Sequence, residues 1–98
     1  MRMLMKVAIP NDGGNKALKE GTLGQIIGKF TEEHKPEAAY FTTGTSGERT
    51  ALFFLDIKDS SQLVALSEPF FLSLNAHVTY TPVMNPQDLK SGLDKFKP

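Results

Sequence analysis

Arg49-Thr50-Ala51-Leu52-Phe53-Phe54-Leu55-Asp56 is the stretch that decides the fold. Successive side chains of a strand point to opposite faces of a sheet, so Ala51, Phe53 and Leu55 share one face and Leu52 and Phe54 the other. Both faces are apolar, and alternation alone leaves open which of them meets the helices. An antiparallel sheet with one wet face reads apolar-in, polar-out; this strand does not, so both of its faces need cover. Leaving Phe53 or Phe54 in water would forfeit about 1.5–3 kcal/mol of burial.

Working outward, Glu37 to Thr43 reads as the strand before it, with Ala39, Phe41 and Thr43 opposing Ala38, Tyr40 and Thr42. Gly44-Thr45-Ser46-Gly47 is a hairpin-length connection. Met3 to Ile9 is a first strand, its Met3, Met5, Val7 and Ile9 opposite Leu4, Lys6 and Ala8. Pro10 ends it, having no N–H for the ladder. Asn11-Asp12-Gly13-Gly14-Asn15 is a turn by composition. A helix is expected from Lys16 to Lys35, with Leu23, Ile26, Ile27 and Phe30 as its stripe. Gly21, Gly24 and Gly28 weaken it by about 1 kcal/mol each. Gly24 and Gly28 share a face, where they would admit a close neighbour.

After the apolar strand, Asp59 or Ser60 can cap a second helix whose stripe is Leu63, Leu66, Phe70 and Leu74. Pro69 inside that stripe predicts a kink or a break. His77 to Val83 is a fourth strand. Asn85-Pro86-Gln87-Asp88 has the order of a helix start, and Leu89, Leu93 and Phe96 form one apolar face of a short terminal helix.

Two strand–helix–strand units joined by a hairpin give an α+β domain, residues 1–98, of ferredoxin-like β-α-β-β-α-β order: a four-stranded antiparallel sheet, two main helices on one face and a short C-terminal helix. The simplest cover for the second face is another copy of the sheet across a two-fold axis. The terminal helix is a rival cover.

Two segments carry a resemblance. Arg49 to Asp56 is one; Ser67-Glu68-Pro69-Phe70-Phe71-Leu72-Ser73-Leu74-Asn75-Ala76 followed by His77-Val78-Thr79-Tyr80-Thr81-Pro82-Val83-Met84 is the other. Together they resemble a group of short bacterial domains of unknown function in the dimeric α/β barrel superfamily. The resemblance spans the last half of the chain well and the first half in outline. It implies the ferredoxin-like fold and a two-chain barrel, and no activity. The wider superfamily includes muconolactone isomerase-like proteins and cofactor-free antibiotic-biosynthesis monooxygenases. No residue pattern in this chain carries over their catalytic groups.

Composition narrows the function classes. Eleven basic residues balance eleven acidic ones, so no net field draws the chain to nucleic acid or to an anionic membrane. There is no cysteine, which excludes thiolate chemistry and cysteine-held metals and fits a cytoplasmic protein. No apolar run approaches the ~20 residues of a membrane helix, and Lys6 interrupts the N-terminal apolar stretch, so no cleavable leader is expected.

The sheet face turned away from the helices is the expected ligand face. It would carry Tyr40 and Thr42 on the second strand, His77, Thr79 and Thr81 on the fourth, Lys6 and Asp56 nearby, and Phe54 or Leu52 as an apolar wall. An apolar pocket with a few polar groups suits a small organic molecule; a packed interface with ordinary strand threonines is the plainer alternative. His77, Tyr40 and Asp56 are the candidates for acid–base work, His77 for its titration range. Tyr80 belongs by default to packing, His34 to the end of the first helix, and Glu68 to the surface beside Pro69. Two distant histidines give no metal-ligand spacing, and residues 11–15 lack both phosphate-loop patterns. Neither a metal nor a cofactor is expected.

The leading expectation is a non-enzymatic homodimer holding a small, partly apolar molecule between its sheets. A cofactor-independent enzyme of monooxygenase or isomerase type, acting on an aromatic or carbonyl compound through His77 with Tyr40 or Asp56, is the second. It requires those groups within about 10 Å, since direct proton transfer needs contacts near 3 Å. A module pairing its apolar face with a different protein is the third.

Overall fold

The computed structural model describes all 98 residues. In chain order the elements are β1 (Arg2–Ile9), α1 (Asn11–Glu20), α2 (Leu23–His34), β2 (Ala38–Thr43), β3 (Arg49–Asp56), α3 (Gln62–Leu74), β4 (His77–Pro82) and α4 (Pro86–Lys95). The domain is α+β. Its four strands form one antiparallel sheet in the order β2-β3-β1-β4. The most apolar strand, β3, lies inside the sheet beside β1, where both its edges are paired.

Register decides what alternation could not. Phe53 stands opposite Met5 and Ala39, and Ala51 opposite Val7 and Phe41. This parity, Ala51, Phe53 and Leu55 with Met5, Val7 and Ile9, is buried under the helices. Phe30 of α2 and Phe70 of α3 close over it, with ring centroids 4.6 Å from Phe30 to Phe53 and 5.0 Å from Phe30 to Phe70. Offset and edge contacts of this kind add to burial. Leu66 and Leu74 complete the α3 stripe. Leu52 and Phe54 therefore point the other way.

The segment before β2 departs from the expected turn and single long helix. The helix starts at Asn11, straight after Pro10, and ends at Glu20. Gly21 then takes the left-handed conformation at φ 75°. The Gly21 and Thr22 amides donate to the Leu18 and Ala17 carbonyls, the paired bonds of a Schellman ending. Gly21 thus terminates one helix and lets a second begin. The supposed turn glycines are packing residues: a Cβ on Gly13 would stand 2.5 Å from the Leu74 carbonyl oxygen, so glycine lets α1 lie against the end of α3. Gly24 and Gly28, expected at a close approach, have nothing within 4 Å of a Cβ and face open space.

Pro69 does not break α3, which runs unbroken from Gln62 to Leu74. The carbonyl that its missing N–H orphans belongs to exposed Ala65, within reach of water. The α3 start is shaped by Asp59, whose carboxylate accepts the Ser61 amide at 2.9 Å. Hydrogen bonds from Ser61 hold that carboxyl below the usual range. Asn85 caps α4 as its sequence predicts. The Asn85 side chain accepts the Asp88 amide at 2.7 Å, and Asp88 accepts the Asn85 amide at 3.0 Å. α4 does not cover the sheet: it has no buried residue.

Candidate functional site

The face of the sheet away from the helices, called here the open face, is built in rows that follow from the register. Tyr40, Leu52, Lys6 and Thr79 form the middle row, one from each strand. Ala38, Phe54, Leu4 and Thr81 form the row on one side, and Thr42, Thr50, Ala8 and His77 the row on the other. The two inner strands supply an apolar centre of half-buried Leu4, Leu52, Phe54 and Ala8; the outer strands supply exposed Tyr40, Thr42, His77, Thr79 and Thr81. Exposed Lys6 is the one charge in the middle row. Tyr40 and Phe54 meet edge to face at 6.4 Å and 82°, which seats the phenol beside the apolar wall.

One end of this face opens into a groove of about 370 Å³ that Tyr40 and Phe54 share with Ala38, Val83 and Met84. Arg2 closes it. Its Nε donates to Glu37 and its Nη1 to Asp88, both at 2.6 Å. At the other end the Glu48 side chain folds over Gly44, leaving Oε2 buried with no hydrogen-bond partner, and Thr50 is buried beneath the hairpin.

The sequence-predicted residues share one face but not one point. Tyr40 lies near Thr42 and Phe54, and His77 near Thr79. Tyr40 and His77 sit on the two outer strands, three strand spacings or about 14 Å apart. Asp56 is farther still from His77, about 20 Å along the strands and two strands across. It is also engaged: the Met1 amino group donates to it at 3.0 Å, and that hydrogen bond and charge hold the Asp56 carboxyl below its usual range. Within the chain these three groups cannot relay a proton directly.

No family model, curated protein or solved structure matches this chain.

Other candidates fall elsewhere. Tyr80 faces the helices, and its hydroxyl shares a 2.6 Å hydrogen bond with Ser67 of α3. Burial pushes its phenol above the usual value, with Ser67 acting against the shift. Ser67, buried in the α3 stripe between Leu66 and Phe70, was the missed partner; a serine on the inward face of an apolar helix was its signal. His34, in the last turn of α2, stacks on Phe30 at 4.8 Å and borders a second cavity of about 220 Å³ with Lys29, Glu33 and Ser73. Asn11 to Asn15 form the first turn of α1 rather than a loop. No three His, Asp or Glu side chains converge as a metal site would need, and no helix is long and apolar enough to cross a membrane. Arg2, which ties β1 to the start of α4, also escaped sequence reasoning because both its partners are distant in the chain.

Proposed function

We propose that the chain is a ferredoxin-like, cytoplasmic homodimer of the dimeric α/β barrel kind, and that it holds a small, partly apolar molecule between its two open faces. The observation that carries this reading is the open face itself. Leu4, Leu52 and Phe54 form an apolar centre that no element of the chain covers, bracketed by hydroxyl and imidazole groups. The strand order β2-β3-β1-β4 in an antiparallel sheet supports the ferredoxin-like assignment. The face would accept a flat or branched apolar body against Leu52 and Phe54. Tyr40, Thr42, Thr79 and His77 would hydrogen-bond its polar end, with Lys6 drawn toward any negative charge. The separation of His77 from Tyr40 and Asp56 favours binding over acid–base catalysis within a protomer.

Native mass spectrometry of freshly purified protein, with the denatured mass alongside, tests both halves of the proposal. The expected result is a dimer carrying extra mass that denaturation removes. A clean dimer overturns the ligand and leaves a packed interface. A monomer at every concentration overturns the pairing and the cavity with it.

A further inference from the structure

α4 is a well-made helix that the protomer does not use. It has a capping box and Pro86 in its first turn, yet none of its ten residues is buried. Leu89 and Leu93, with Phe96 at the C-cap, are spaced four and three apart and are 49%, 63% and 68% exposed, and Met84 at the root of the helix is 67% exposed. The chain's radius of gyration is 15.5 Å and its longest extent 54 Å, against roughly 13 Å for a compact domain of about 100 residues. A lone helix of this length is marginal in water, and amphipathic helices owe most of their stability to the surface they cover.

The root of α4 shows which side that surface lies on. Arg2 shares the open-face parity of Leu4 and grips Asp88. Val83 and Met84, just before the helix, wall the same groove as Tyr40 and Phe54. Apolar side chains therefore continue from the centre of the sheet through Phe54, Val83 and Met84 to the base of α4, past the Glu37–Arg2–Asp88 ion pairs. Area argues for one interface. Four strands by six residues make a flat footprint on the order of 400 Å², and a stable pair needs ~800 Å² of accessible surface per partner. The exposed Leu89, Leu93, Phe96 and Met84 side chains add apolar surface at its end.

We propose that α4 is an exchanged arm: its Leu89–Leu93–Phe96 stripe docks on a second copy of this chain, at the rim of that copy's open face, and the second copy returns the contact. This rests on the homodimer proposed above. Two-fold symmetry makes the contact reciprocal and closed, so the exposed stripes do not propagate into a filament.

The test uses the full chain. In a sedimentation dilution series, Leu89→Ser/Leu93→Ser/Phe96→Ser should raise the dimer dissociation constant roughly 100-fold. Circular dichroism should meanwhile keep the sheet and the other helices. An unchanged constant overturns the arm while the sheet pairing stands; a wild-type chain that is monomeric throughout overturns both. Because the chain has no cysteine, a single Gly92→Cys nitroxide, at a position with open space around it, reports on α4 directly. It should be immobilised in the dimer and freed on dilution. A label immobilised in the monomer means that the arm folds back on its own domain; one immobilised only by anionic phospholipid vesicles means a membrane surface. Either result overturns the proposal, as does a label that stays mobile in the dimer.

Discussion

Phe53 and Phe54 are adjacent in sequence and identical in chemistry, yet they face opposite layers, so truncating each in turn separates folding from assembly. Phe53 is fully buried and touches Phe30, Phe41 and Phe70. Phe53→Ala removes a core ring from a packed site, which costs about 3–5 kcal/mol. Against the 5–15 kcal/mol typical of a whole domain, that is a fifth or more of the stability. At about 4–8 °C per kcal/mol, Tm should fall by at least ~12 °C. The loss should be the same at low and high protein concentration, because the core lies within one chain. Phe54 is half-buried, its ring edge against Tyr40. Phe54→Ala in an isolated protomer should cost no more than ~1.5 kcal/mol, about half of full burial. In the proposed homodimer the rest of its effect would appear as weaker association, so its destabilisation should grow with protein concentration over the range where wild type would pair. Urea unfolding of both variants at two concentrations a hundredfold apart, with sedimentation alongside, reads both quantities. If Phe54→Ala proves as costly as Phe53→Ala and equally independent of concentration, the assignment of the two faces is wrong.

Two further predictions rest on the glycines and on Asp59. Gly24→Ala, at an exposed position of α2 with open space around it, should stabilise the protein by about 0.5–1 kcal/mol, whereas Gly13→Ala, driven against the Leu74 carbonyl, should destabilise it by more than ~1 kcal/mol; chemical denaturation of the pair gives opposite signs or refutes the packing. The Asp59 carboxyl is held below its ordinary range by Ser61, so its folded pKa lies under the unfolded value near ~3.9. Its contribution is therefore complete above that value and is lost as pH falls through the folded pKa. Asp59→Asn should be less stable than wild type at pH 7, and the gap should narrow as pH falls below the unfolded value; a gap constant across pH would remove the assigned hydrogen bonds.

Much of this was legible in the chain because it depends on local chemistry. The alternation in β1 and β4, the stripe of α3 and the Asn85 cap are all written in residues a few positions apart. What was not legible depends on partners far away. Leu52 and Phe53 cannot be assigned to faces until Met5 is seen opposite Phe53. Gly13, Gly21 and Gly24 are the same residue type, but one fits beneath a carbonyl, one adopts a positive φ and one simply faces open space. The shared parity of Tyr40, Thr42, Phe54, His77 and Thr79 on the open face was readable from alternation. The width of that face was not, because strand order, which sets Tyr40 and His77 at opposite edges, is a property of the assembled sheet. The stripe of α4 was legible from its spacing; its exposure was not.

The outer edge of β2 carries a hazard. Ala38 to Thr43 is an edge segment with no charge, no proline and two large rings, Tyr40 and Phe41, more than half exposed on opposite faces. A six-residue run of that kind is a template onto which another extended chain can add itself, repeat after repeat, toward amyloid. The other outer strand is better guarded, since β4 begins at His77 and ends at Pro82. How the cell keeps the β2 edge occupied or diluted bears on how much of this chain it can hold.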